Sequence, residues 1–197
     1  FVNGEQVIIG GPATRTLKGG VGDDTYRFDA DTALGFFLIE ESDGGNDSMD
    51  FSPTSSNVTI NLSVSTVQTV NGNLSVKFGS GLQLENVIGG SGNDRLTGNS
   101  KSNVLKGGSG NDRLSGGLGS DILDGGSGDD RYVFGGSTAT GETDTIVDSW
   151  GTDTLDFGAQ TIDVTVNIAV GALQQVHTHR SLVLGSGLRV ENAIGGS

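Results

Sequence analysis

Across residues 89–133 an apolar side chain returns at every ninth position: Leu96, Leu105, Leu114, Leu123, then Tyr132. Two places earlier in each unit stands Asp94, Asn103, Asp112, Asp121 or Asp130, and each unit opens on a glycine, at Gly89, Gly98, Gly107, Gly116 and Gly125. About six residues of every nine are turn formers and about three are strand formers, and three extended residues rise about 10 Å. Two units back to back therefore make one flattened coil, and successive coils stack as parallel strands whose eighth-place side chains point inward as two facing ladders. Glycine recurs because the turn bends with positive φ and brings backbone carbonyls inward, where a Cβ would collide.

Outside this stretch the pattern is period-two alternation, which predicts strands. It runs through Val58, Ile60 and Leu62, through Leu74, Val76 and Phe78, and into Leu82 and Leu84. Helical spacing is confined to residues 31–41, DTALGFFLIEE, where one or two helical turns are expected and Gly35 weakens them. A longer period overlies the short one. GSGLQLENVIGGS begins at Gly79 and GSGLRVENAIGGS at Gly185, an offset of 106 that also carries Asp24 to Asp130, Phe28 to Phe134 and Asp47 to Asp153. The expected fold is all-β: a parallel β-roll, or β-helix solenoid, with irregular strand-rich insertions. Residues 1–16 form a lead-in. Residues 17–122 form a first 106-residue unit whose regular roll spans 89–122, and residues 123–197 form a second, truncated unit.

With 35 Gly and 2 Pro in 197 residues the composition suggests a flexible linker, but Leu, Ile, Val and Phe supply 53 residues, enough for a thin core. The net charge of -13, from 24 acidic against 11 basic residues, argues against nucleic acid or an anionic membrane as partner and toward cations. No run of about eighteen apolar residues is present, so no membrane span is expected. Without cysteine there is neither a disulfide framework nor a thiolate metal site. The first residues lack an export signal, and the chain stops inside a motif at Ser197, so it is expected to be a piece of a larger protein.

The aspartates give the cation an address. Alternate turns fall on opposite edges of the coil: those at Gly89, Gly107 and Gly125 on one, here the odd edge, and those at Gly98 and Gly116 on the even edge. Strands lie about 4.8 Å apart, so Asp94, Asp112 and Asp130 form a column of like charges. Arg95, Arg113 and Arg131 face outward and cannot relieve it. A hard dication between adjacent turns would reverse the sign of the interaction, and carboxylate and carbonyl oxygens suit calcium. The expected ligands are these aspartates with the carbonyls of Gly89, Ser91, Gly107, Ser109, Gly125 and Ser127, and Asp121 with Gly116 and Leu118 on the even edge. Two ions are expected on the odd edge, sharing Asp112. GNSKSNVLK, from Gly98, has Asn99, Lys101 and Asn103 in place of two glycines and the aspartate, so the Asn103–Asp121 step is expected to be weak or empty. Asp24 is expected to face Asp47, and Asp130 to face Asp153. A single such turn would be an ordinary Asx turn; five in strict register with an apolar eighth place are not.

GGSGNDRLS, GGLGSDILD and GGSGDDRYV resemble the glycine-rich nonapeptide of RTX, or hemolysin-type, proteins. The match is strong over residues 89–133 and good over 17–28, and GGNDSMDFS at 44–52 and WGTDTLDFG at 150–158 look like the irregular turns flanking such rolls. The resemblance implies a β-roll that is disordered without calcium and folds outside the cell, after secretion from a Gram-negative-type bacterium.

Other candidates carry less. His177 and His179 alternate onto one face of an expected strand but have no counterpart in the first copy. Trp150, beside Gly151, is expected to pack rather than to serve as a sugar platform. Glu40 with Glu41, and Asp153 with Asp156, are carboxylate pairs that Asp-rich turns supply by chance, and no nucleophilic triad, phosphate loop or His-Glu zinc motif is present. The chain is therefore expected to be a secreted or cell-surface calcium-binding scaffold or adhesive module rather than an enzyme, with calcium ions and neighbouring domains of its parent as partners. The alternative is an accessory domain of a polysaccharide-active enzyme, which would grip glycans through Lys77, His177, His179, Arg180 and Arg189.

Overall fold

The structure, a computed structural model, describes residues 6–8, 15–40, 44–79, 84–135, 141–148, 150–160, 165, 173–177, 180–185 and 190–195. Every regular element among them is a strand. In chain order these are β1 (Gln6–Ile8), β2 (Arg15–Lys18), β3 (Thr25–Phe28), β4 (Gly35–Glu40), β5 (Asp47–Asp50), β6 (Thr59–Asn61), β7 (Gln68–Asn71), β8 (Leu74–Phe78), β9 (Leu84–Ile88) and β10 (Arg95–Thr97). They continue as β11 (Val104–Ser109), β12 (Arg113–Ser115), β13 (Ile122–Ser127), β14 (Arg131–Val133), β15 (Glu142–Val147), β16 (Asp153–Asp156), β17 (Leu173–His177), β18 (Arg180–Leu184) and β19 (Val190–Ile194). Among the described residues no helix is long and apolar enough to cross a membrane.

A nine-stranded sheet, in the order β1-β3-β5-β9-β11-β13-β15-β18-β17, makes one wall of the roll. The chain crosses from it first to a four-stranded sheet, β2-β4-β8-β7, and then to a six-stranded sheet, β19-β16-β14-β12-β10-β6. Pairing is parallel throughout except at the hairpins β7/β8 and β17/β18. This is an all-β parallel roll. The residues 31–41 hold no helical turn: Gly35–Glu40 is strand β4, because Phe37 and Ile39 alternate inward against the core while Phe36 and Leu38 do not.

The eighth-place residues form the ladders that their spacing predicts. On the nine-stranded sheet Tyr26, Met49, Val87, Leu105, Leu123, Ile146 and Leu184 are successive register partners. Facing them, Ile60, Leu96, Leu114, Tyr132 and Leu155 do the same on the six-stranded sheet. All are buried in a single core. Aromatic rings thicken the core where the strands leave the nonapeptide rhythm: Phe28 meets Phe37 edge-on at 5.3 Å and stacks on Phe51, and Phe134 stacks on Phe157 at 4.7 Å. Because each rung of so thin a core is touched only by its neighbours, Leu114→Ala should destabilise the calcium-loaded chain by about 2–5 kcal/mol, read by chemical denaturation.

The 106-residue offset acquires a geometric meaning here. Strands β3, β5 and β9 lie in the nine-stranded sheet, whereas their counterparts β14, β16 and β19 lie in the six-stranded one. Five nonapeptides separate β9 from β14, and each is half a coil. An odd number of half-coils lands the second copy on the opposite wall.

Candidate metal centre

The strand starts on each wall carry the acidic residues. At the head of the six-stranded sheet the register aligns Thr59, Arg95, Arg113, Arg131 and Thr154, so the residues just before them, Val58, Asp94, Asp112, Asp130 and Asp153, form one row, which Glu191 extends. This is the odd edge. At the head of the nine-stranded sheet, the even edge, Asp24, Asp47, Glu85, Asn103, Asp121 and Asp144 form the second row.

Within a row one contact repeats. The backbone N–H of each member donates to the side chain of the next: Val58 to Asp94, Asp94 to Asp112, Asp112 to Asp130, Asp130 to Asp153 and Asp153 to Glu191, at 2.7–2.9 Å. On the even edge Asp24 donates to Asp47, Asp47 to Glu85, Asn103 to Asp121 and Asp121 to Asp144. One carboxylate oxygen is thereby fixed and the other is aimed into the turn. Asp112, Asp121, Asp130 and Asp153 each keep Oδ2 buried with no hydrogen-bond partner, and Asp24 keeps Oδ1 so. Asp94 differs, since Gly90 N–H satisfies its second oxygen.

The first-place glycines make this convergence fit. A Cβ on Gly107 would overlap both Asp112 Oδ2 and the Gly125 carbonyl, and one on Gly89 would overlap Asp94 Oδ2 and the Gly107 carbonyl. Gly116 and Gly125 likewise lie against Asp121 Oδ2 and Asp130 Oδ2. The third-place residues hold the stack by backbone bonds: Ser91 donates to Thr54, Ser109 to Gly90 and Leu118 to Asn99, while the Ser127 carbonyl accepts from Gly110.

Electrostatics report the same strain. Loss of water pushes the Asp130 carboxyl up to about 8, with the Asp112, Asp148 and Asp153 charges adding to it. Burial raises Asp112 and Asp121 to about 7 and Asp144 and Asp153 to about 6, and lifts Asp47 and Asp94 above the ordinary range. Buried, like-charged carboxylates with unsatisfied oxygens beside carbonyl oxygens are a donor set for a hard dication, and calcium would supply here the positive charge that the column lacks.

Sequence reasoning missed five acidic residues that lie in the rows or beside them. Glu85 and Glu191 sit in the repeated LENV and VENA segments, so the 106-residue offset already displayed them as a pair. Asp144 and Glu142 had no such signal, because in the first copy Phe37 and Gly35 hold the equivalent register positions. Asp148 stands where other turns have their first glycine. It brings a carboxylate oxygen, with those of Asp130 and Asp153, into a buried cluster whose oxygens lie within 4.8 Å of one another. The Tyr132 hydroxyl donates to Asp148 and accepts from Gly125 N–H, and its burial holds the phenol protonated as that donor.

The turn at 98–103 is built differently. Elsewhere on this edge Gly117 and Gly119 adopt positive φ, of 104° and 101°, but among the described residues no non-glycine does, so Asn99 and Lys101 give their turn another shape. Asn103 Nδ2 donates to the Glu85 carbonyl, Asn99 Nδ2 to the Leu84 carbonyl, and Lys101 Nζ lies 2.9 Å from Glu85 Oε1.

Three expectations need correction or fall outside the described residues. Trp150 does not pack: the residue is 73% exposed, and its backbone joins the stack by bridging to Ser127. Arg180 is not part of an exposed basic stripe but is buried against Glu142 and Asp144. Glu41, Leu82, His179 and Arg189 lie outside the described residues, as does the side chain of His177. Of the carboxylate pairs, Glu40 meets Lys18, and Asp156 meets Arg131 and Arg113 on the outer face, apart from the row holding Asp153.

Residues 88–123 and 97–132 match the RTX calcium-binding nonapeptide repeat, a model of four copies. The chain carries RTX calcium-binding repeats. The RTX repeats bind calcium, and the rows above are where their aspartates lie. The chain is 46% identical over 154 residues to the metallopeptidase AprA of Pseudomonas marginalis, which covers 71% of this chain and 32% of that protein. It is 40% identical over 96 residues to the metalloprotease AprA of Pseudomonas entomophila, 43% of this chain and 20% of that protein. Serralysin of Photorhabdus luminescens is 39% identical over 115 residues, 51% of this chain and 22% of that protein. The RTX chain thus spans about a third or less of the length of these relatives.

Proposed function

We propose that this chain is a calcium-folded structural module of a larger secreted protein, an ordered scaffold or adhesive spacer beside other domains, and that it performs no catalysis of its own. The observation that carries the reading is the set of buried, partnerless carboxylate oxygens along both rows. Without a counter-ion the acidic chain, at -13, repels itself and its turns cannot close. Calcium at the Asp94–Asp112, Asp112–Asp130 and Asp130–Asp153 steps would link folding to the ion concentration of the medium. A chain that is extended where calcium is scarce and ordered where it is abundant suits export followed by stiffening outside the cell. The likeness to metalloproteases over their repeat-bearing part supports a catalytic domain as the neighbour. Arg180 is withdrawn from the surface that a glycan would need, which weighs against the carbohydrate-binding alternative.

The test is far-ultraviolet circular dichroism during a calcium titration. A coil-like spectrum in chelator that converts to strand signal as calcium is added is expected. A spectrum indifferent to calcium would rule out ion-coupled folding.

A further inference from the structure

The two edges of the roll neutralise their carboxylates by different means. On the odd edge Arg95, Arg113 and Arg131 are partly or fully exposed and pair, where they pair, with Asp156 on the outer face. The row of Asp112, Asp130 and Asp153 behind them keeps its partnerless oxygens. At the end of the even edge a basic side chain instead enters the stack. Arg180 is 3% exposed, and its Nη2 donates to the Gly117 carbonyl at 2.8 Å and lies 3.2 Å from Glu142 Oε2, while Nη1 lies 3.3 Å from Asp144 Oδ2. The guanidinium also lies over the Phe134 ring, 5.6 Å from its centroid. Gly117 is the second residue of the turn that ends in Asp121, and Asp144 follows Asp121 in the row. A turn carbonyl, a row carboxylate and the neighbouring carboxylate of Glu142 are the kind of oxygens that a calcium ion would take on the other edge.

We propose that the Arg180 guanidinium fills, at the Asp121–Asp144 step, the place that a divalent cation takes on the odd edge, so that this step carries a cation site already occupied by the chain itself. The inference rests on the reading of the rows as calcium sites. The first copy supports it by contrast. Leu74 stands 106 residues before Arg180 and pairs with Gly35, and Phe37 holds the register position of Asp144, so arginine and carboxylates are absent there together and the place is apolar. The guanidinium is a fixed, planar donor that no change of medium removes. The Asp144 side of the step is therefore neutralised without calcium, although Asp121 Oδ2 keeps no partner, whereas the odd edge has no such cation of its own.

Arg180→Met keeps much of the aliphatic stem and removes the charge, leaving Glu142, Asp144 and the Gly117 carbonyl for an ion. Isothermal titration calorimetry of the full chain with calcium chloride should then count one more calcium per chain than in the parent. Circular dichroism should place the folding midpoint of the variant at higher calcium. Arg180→Lys, which keeps the charge, should retain the parent stoichiometry, and Arg180→Met combined with Asp144→Asn should lose the added ion. An unchanged stoichiometry in Arg180→Met overturns the inference, as does its failure to fold at saturating calcium or an added ion that survives Asp144→Asn. A parent chain that takes up no calcium at all would instead overturn the underlying reading of the rows.

Discussion

Asp112→Asn should strip the chain of both calcium ions that the Asp112 carboxylate would touch, whereas Asp121→Asn should cost far less. Asparagine keeps the oxygen that accepts the Asp94 N–H at 2.7 Å, so the backbone ladder survives and the change isolates the charge and the partnerless Oδ2. Asp112 stands between Asp94 and Asp130 on an edge with no basic side chain in the row. Asp121 stands between Asn103, whose amide already satisfies the Glu85 carbonyl, and Asp144, which Arg180 neutralises. An ion held at tenfold its dissociation constant contributes about 1.4 kcal/mol, so losing two removes about 3 kcal/mol from a narrow core. Calorimetric stoichiometry with the calcium midpoint of folding reads both quantities. Equal losses from the two variants would mean that the edges are not chemically distinct.

The difference between the edges was only half legible in the chain. The roll itself was written in the spacing, because a period of nine with glycine first and an apolar eighth place fixes which side chains point inward, and Leu96, Leu114 and Tyr132 lie on one ladder for that reason. The different build of the Gly98 turn was equally visible, since Asn99, Lys101 and Asn103 replace residues whose chemistry the turn uses. What spacing could not show is contact between residues distant in the chain. Arg180 reads as one more surface basic residue until β18 is laid beside β15, and Asp144 becomes a row member only because a coil of 23 residues returns it to Asp121. Local propensity misled at Phe36–Ile39, where a short apolar run is ambiguous between helix and strand and only the tertiary ladder decides. Trp150 misled for a converse reason: its backbone obeys the stack, and a stacked turn turns its third-place side chain outward.

Acid should act on this chain in opposite directions with and without calcium. In chelator the folded state holds Asp112 and Asp121 at about 7 and Asp130 at about 8, against 3.8 for the free carboxyl. A group whose folded value is raised binds more protons folded than unfolded between those limits, so its contribution is full below the unfolded value and is lost as pH rises through 7 to 8. Lowering the pH from about 8 to about 5 should therefore increase strand signal in the chelated chain, protons doing part of the work of the ion. With calcium present the ligands must be ionised, protons compete for the same oxygens, and the same acid shift should move the folding midpoint to higher calcium. Two circular-dichroism titrations, one in chelator across pH and one in calcium at each pH, give the two slopes. Slopes of the same sign would show that the buried carboxylates are not where the ion acts. Opposite slopes that flatten together in a variant carrying Asp112→Asn and Asp130→Asn would assign the coupling to the odd edge.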